Sequence, residues 1–189
     1  MAEKYDPNVH HRRSVRLAGY DYSQEGWYFI TICTQDRRCM FGAIIGDRMQ
    51  LNAAGLMVES WGRKLTDKFP VIQTDESIVM PNHFHGIINV GAAPCGRPDI
   101  DESDERSGQP HRVAPTLADL VNWFKTMTTN QYIHGVKRED WQPFDKKLWQ
   151  RNYYEHIIRN EEELNRFRQY ISDNPANWQT DEENPGATP

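Results

Sequence analysis

One stretch limits what this chain can become more than any other. From Ser77 to Val90 it reads Ser-Ile-Val-Met-Pro-Asn-His-Phe-His-Gly-Ile-Ile-Asn-Val. Apolar, β-favouring residues flank a His-Phe-His triplet, which places His83 and His85 on a strand. Strand side chains alternate between faces, so residues two apart point the same way. Both imidazoles then project from one face and Phe84 from the other. Such a pair is a two-nitrogen metal seat on a rigid element; the same triplet also reads as two half-buried histidines. Pro81-Asn82 implies a bend or bulge where the histidines begin.

The length of 189 residues makes one domain the default, with enough chain for a real core. Hydrophobic content of 38% and a mean hydropathy of −0.82 leave part of the chain outside that core. No apolar run reaches the roughly 20 residues of a membrane span, and the N-terminus lacks a signal-like apolar segment. Cys33, Cys39 and Cys95 form no CxxC pair and are odd in number, so reduced thiols in a cytoplasmic protein are expected. The net charge of −5 is unevenly spread. Segments 97–106 and 160–189 hold 12 of the 27 acids but only four of the 22 bases. The remaining body is net +3, which permits a phosphate-bearing partner.

Residues 1–26 form a basic arm, in which Arg12, Arg13 and Arg16 act either as a solvated tail or as phosphate contacts. Trp27 to Thr34 is a β-branched and aromatic run that predicts a central strand. Phe41–Ile45 and Arg48–Leu51, joined by Gly46-Asp47, predict a hairpin. Asn52 caps a helix that runs to about Lys68, with Leu56, Met57, Trp61 and Leu65 at helical spacing. Val71 to Met80 resumes β character. Residues 91–112 are rich in Gly, Pro, Asp and Ser and are expected to be a mobile acidic loop. Pro115-Thr116 opens a second helix with Leu117, Leu120, Val121, Phe124 and Met127 on its stripe. Lys125 lies off that stripe and reads on its own as a solvated residue. Arg151 to Arg159 is dense in polar and aromatic groups.

The last helix is the best specified. Asn160 and Glu163 make a capping-box-like start, and Leu164, Phe167 and Ile171 give the buried stripe. Pro175 ends the helix by Asn174. Residues 179–189 are expected to be a disordered tail. The order of elements gives an α+β domain over 27–178, with an antiparallel sheet and helices packed on one face. Tyr170 and Asn174 lie four apart and share a helix face. Taken alone, Tyr170 is a boundary tyrosine and Asn174 a helix cap.

Several segments together resemble one family. They are Arg13-Ser14-Val15-Arg16-Leu17 with Gly19-Tyr20-Asp21-Tyr22, then Tyr28 to Cys33, Val79 to Gly86, and Tyr154 to Asn160. Tyr170 to Pro175 with Trp178 completes the set. In this order they resemble the single-tyrosine HUH transposases, in the REP-associated tyrosine transposase branch. The resemblance implies a ferredoxin-like HUH endonuclease fold and cleavage and rejoining of single-stranded DNA at hairpin-forming repeats. It implies that His83 and His85 are the HUH metal ligands, Asn174 the third ligand and Tyr170 the nucleophile.

Two imidazoles and an amide oxygen leave a divalent ion, Mg²⁺ or Mn²⁺, open positions for a phosphate oxygen. The expected product is a 5′-phosphotyrosine with a free 3′-hydroxyl. Arg12, Arg13, Arg16, Lys125 and Arg151 are the candidate phosphate contacts, and Tyr20 and Tyr22 the candidate base-stacking residues. Tyr153 and Tyr154 rival Tyr170 on chemistry alone, and Glu155 and His156 fit a structural or a catalytic role. The chain is expected to act as a monomer or homodimer. The alternative is a domesticated hairpin-binding protein without turnover.

Overall fold

Two strands that are buried on both faces set the architecture. The computed structural model describes residues 26–91 and 115–187. β1 (Gly26–Cys33) pairs with β5 (His83–Val90) on one side and with β6 (Tyr154–Ile158) on the other. β4 (Ile72–Val79) joins β5 to give an antiparallel four-stranded sheet in the order β4-β5-β1-β6. β2 (Gly42–Ile45) and β3 (Arg48–Leu51) make the separate hairpin that the sequence predicts. Gly46 and Asp47 both have positive φ there, as a two-residue type I′ turn requires.

The helices are α1 (Ala53–Arg63), the single turn α2 (Leu65–Lys68), α3 (Leu117–Arg138) and α4 (Glu161–Asp173). Their starts are written in the sequence. Asn52 accepts from the Gly55 amide, Thr116 and Asp119 form a full capping box, and Asn160 accepts from the Glu163 amide.

The α+β class with an antiparallel sheet holds, but the helices do not share one face. Tyr28, Ile30, Ile32, Phe84 and Ile88 pack with α1 and α3, whereas Phe29, Ile87 and Ile158 pack under Leu164 and Ile171 of α4. The reason lies in β1 and β5, whose apolar residues occupy both faces and so need cover on both. β6 is a second departure, since its five residues include Glu155 and His156 and carry no alternation to read.

Gly55 shows how tightly α1 seats. A Cβ there would collide with the Phe41 carbonyl and the Leu51 side chain. Gly55→Ala should therefore destabilise by about 1–3 kcal/mol, although alanine is the better helix former. A lower midpoint in urea unfolding checks this.

The basic arm with Arg12, Arg13, Arg16, Tyr20 and Tyr22, and the acidic loop from residue 92 to 112, lie outside the described residues. The expected tail does not. A 3-10 turn (Trp178–Thr180) leads into successive turns through residue 187. Asp181 Oδ1 accepts from the Glu183 amide, Asn184 donates to the Trp178 carbonyl, and the Trp178 ring is buried. Side chains that bond their own backbone, together with one buried indole, order a segment whose composition alone reads as tail.

Candidate active site

His83 and His85 stand on the α4 side of the sheet, with ring centroids 4.4 Å apart, and both are buried (0% and 2% exposed). Their outer nitrogens are fixed by neighbours. Asn82 donates its Nδ2 to the carbonyls of Arg37 and Glu183, which turns its Oδ1 toward His83 Nδ1 at 2.8 Å. An amide oxygen only accepts, so His83 Nδ1 carries the proton and Nε2 presents a lone pair. His85 Nδ1 lies 2.9 Å from the Thr31 hydroxyl. Burial, the first cause for each, pushes His83 down to about 4 and His85 well below the ordinary value. Asp181 and Asn174 oppose the shift at His83, whereas His83 itself adds to the shift at His85. Both imidazoles are neutral at pH 7 and able to ligate.

α4 supplies the opposite wall. Leu164 and Ile171 face the sheet, and Arg168 reaches across to bind the Asp75 carboxylate of β4 through Nε and Nη2. His156 Nε2 lies 2.8 Å from Glu163 Oε1, and the Arg159 amide donates to Glu163 Oε2. His156 thus ties β6 to the start of α4. With the helix fixed at both ends, Tyr170 sits over His85 at 5.3 Å between ring centroids, and Asn174 is buried one turn further on. Asn174 donates its Nδ2 to Asp181 Oδ2 at 3.1 Å.

Three buried atoms around this point have no hydrogen-bond partner among the described residues: His83 Nε2, His85 Nε2 and Asn174 Oδ1. Orphaned buried polar atoms are costly, and a bound cation would supply such atoms with a partner. His83, His85 and Asp181 also form a cluster able to hold a metal ion, with ligand atoms within 4.8 Å of one another. The donor set of two imidazoles, an amide and a carboxylate suits a divalent cation.

Tyr170 is 45% exposed and lines a cavity of about 610 Å³ with Phe29, Thr31, His85, Tyr154 and Phe167. Its hydroxyl is pushed up to about 12 by partial burial, then by the Asp181 carboxylate, with Glu183 and Glu182 adding less. The Asn174 amide works in the opposite direction.

The structure therefore brings together His83, His85, Tyr170 and Asn174. Lys125 and Arg151 lie elsewhere. The Lys125 ammonium donates to the carbonyls of Gln150, Arg151 and Asn152, at 3.0, 3.3 and 3.2 Å, so its three protons are already engaged. Burial pushes it down to about 8, even though those carbonyls favour the charged form. Lys125→Met should cost about 1–3 kcal/mol by stranding acceptors, measurable as a lower thermal midpoint. Exposed Arg151 borders a groove of about 510 Å³ beside α3 with Lys146 and Lys147.

Sequence reasoning missed Asp181, Asn82 and Thr31. Only Asn82 carried a local signal, as the residue beside the His-Phe-His triplet; Thr31 and Asp181 reach the site through sheet register and chain folding.

The antiparallel sheet with helices on both of its faces defines an α+β fold. The REP-associated tyrosine transposase, in its structure bound to a REP hairpin, shares it with a TM-score of 0.50. Identity is 19%, over 85% of this chain and 73% of that one. The resemblance read from the sequence thus holds for the fold. Over 183 residues the chain is 39% identical to an uncharacterized protein of Haemophilus influenzae, spanning 96% of this chain and 98% of that one. It belongs to the same family as that protein. No family model matches the chain.

Proposed function

We propose that this protein cuts and rejoins single-stranded DNA beside hairpin-forming repeats, as a transposase or strand transferase, with Tyr170 as the nucleophile. One observation carries the reading: His83 and His85, whose Nε2 atoms have no partner among the described residues, cluster with Asp181, to which Asn174 is bonded, beside a half-exposed tyrosine. Among common chemistries, that pairing suits nucleophilic attack on a phosphodiester, whose developing charge needs a cation. His83, His85, Asn174 and Asp181 would hold Mg²⁺ or Mn²⁺, which when bound supplies Lewis-acid polarisation of the phosphate and favours the phenolate.

The chain's own residues do the rest. The Tyr170 oxygen bonds to phosphorus, the bond from phosphorus to the 3′-oxygen breaks, and the leaving oxygen takes a proton. The phenol proton goes to solvent. The 5′-phosphotyrosine conserves the phosphodiester, so a 3′-hydroxyl can reverse the step without ATP. Thr31 and Asn82 orient the imidazoles, as hydrogen-bonded partners of metal-binding histidines do. Arg151, with Arg12, Arg13 and Arg16, is proposed to contact backbone phosphates, and Tyr20 and Tyr22 to stack on bases. Lys125 is proposed to act through the 150–152 turn that it holds.

Incubation of the protein with Mg²⁺ or Mn²⁺ and a labelled hairpin oligonucleotide with single-stranded flanks tests the reading. The expected product is a protein–DNA adduct that survives denaturation. Tight hairpin binding with no cleavage under either metal would instead favour a binding protein without turnover.

A further inference from the structure

The edge strand β6 carries a large aromatic where the open side of the site begins. Register places Tyr154 opposite Thr31, and Thr31 opposite His85, so the three residues form one cross-strand row on the same face. The Thr31 hydroxyl touches His85 directly. Two strand spacings separate the backbone of His85 from that of Tyr154, about 10 Å. Tyr154 is 48% exposed, and its ring meets Phe29 only edge-on, at 6.4 Å and 67°. Phe29 is otherwise well stacked, with Phe167 at 4.5 Å and His85 at 5.1 Å. Core packing therefore does not require the Tyr154 ring.

The cavity it borders is segregated by chemistry. Aromatic rings from Phe29, Tyr154, Phe167 and Tyr170 form one wall, and Asp181, Glu182 and Glu183 contribute another. Glu183 is paired with Arg37 at 2.9 Å, and a phosphodiester is repelled by the Asp181 and Glu182 carboxylates except where a cation intervenes. A nucleobase is neutral and is accepted by an aromatic face whatever its identity. A volume of about 610 Å³ lies within the range of pockets that enclose small organic ligands.

We infer that Tyr154 is a positioning residue that stacks on a base of the nucleotide flanking the scissile phosphate. This inference rests on the proposed function and adds a substrate contact to it. By this contact, the strand threads between the sheet edge and α4 with its base against Tyr154, and its phosphate is thereby directed toward His85 and Tyr170.

The test uses the full chain and an oligonucleotide carrying 2-aminopurine at successive positions in the single-stranded flank. Background substitutions are made in Tyr170→Phe protein, so that binding is read without turnover. One probe position should be quenched on binding, equally with Tyr154 and Tyr154→Phe. In Tyr154→Ser and Tyr154→Leu the quench should disappear and the dissociation constant should rise about 5- to 150-fold, as loss of a stacked base implies. In protein with Tyr170 intact, Tyr154→Phe should leave adduct formation within about twofold. Tyr154→Ser and Tyr154→Leu should raise the half-saturating DNA concentration far more than they lower the maximal rate. Because Tyr154→Leu keeps apolar bulk, it decides the matter even where Tyr154→Ser folds poorly. Unchanged quench and affinity in Tyr154→Leu would overturn the inference and leave the proposed function standing. A chain with intact Tyr154 that neither binds nor quenches any such strand would overturn both.

Discussion

Tyr170→Phe is expected to abolish the covalent protein–DNA adduct and to lower strand cleavage by at least about a thousandfold. The phenol stands over His85, one helical turn from Asn174. Burial and the Asp181, Glu183 and Glu182 carboxylates hold it near 12, so on the order of one phenol in 10⁵ is ionised at pH 7. That fraction is too small for a fast nucleophile. A cation held by His83, His85 and Asp181 would offset those carboxylates. Removing one oxygen from a half-exposed ring alters little packing, and the thermal midpoint should stay within a few degrees of the unsubstituted chain. A denaturing gel with end-labelled DNA reads the adduct. An adduct that persists in Tyr170→Phe would move the nucleophile, with Tyr154 the next candidate at the cavity wall.

The parts of this arrangement that could be read from residue order are those with a local cause. β1 is a β-branched and aromatic run, β5 sets apolar residues around the two histidines, and α1, α3 and α4 begin at Asn52, Thr116 and Asn160, whose side chains hold the first turn. The shared direction of His83 and His85 follows from strand alternation alone. Sequence periodicity does not say which face of a sheet a helix takes. That choice depends on β1 and β5 carrying apolar residues on both sides, and on the long-range Arg168–Asp75 pair. β6 has no such pattern; it is a strand because β1 offers it an edge, and Glu155 and His156 tolerate the half-exposed position. Asp181 was hidden for a different reason. Its segment is acidic and rich in Asn, Pro and Gly, and those same Asx side chains fold it back over His83. Composition distinguishes poorly between a solvated tail and a chain of Asx turns.

Acidification of the metal-free protein is expected to reduce its stability below pH 6.5, and His83→Gln should flatten that dependence. Burial depresses His83 to about 4 in the folded chain, against about 6.5 when unfolded. Between those values the unfolded chain binds more protons than the folded one, so stability rises with pH through the window and is lost as pH falls through it. For His83 alone the full window corresponds to on the order of 3 kcal/mol, and His85 shifts in the same direction. Mn²⁺ or Mg²⁺ at about 100 times its dissociation constant should add about 2.7 kcal/mol at pH 7, or roughly 5–10 °C in thermal midpoint. The depressed values make a sharper claim. An exposed histidine pair would lose its metal to protons below pH 6.5, whereas burial holds His83 down to about 4 and shifts His85 in the same direction, so the metal-induced rise should survive at pH 5. Removal of the metal with a chelator should reverse it at both pH values. His85→Ala takes away one orphaned nitrogen and should eliminate the rise altogether. A chain whose midpoint ignores both cations, or a His85→Ala variant that still responds, would show that the three unpartnered atoms do not form a metal seat.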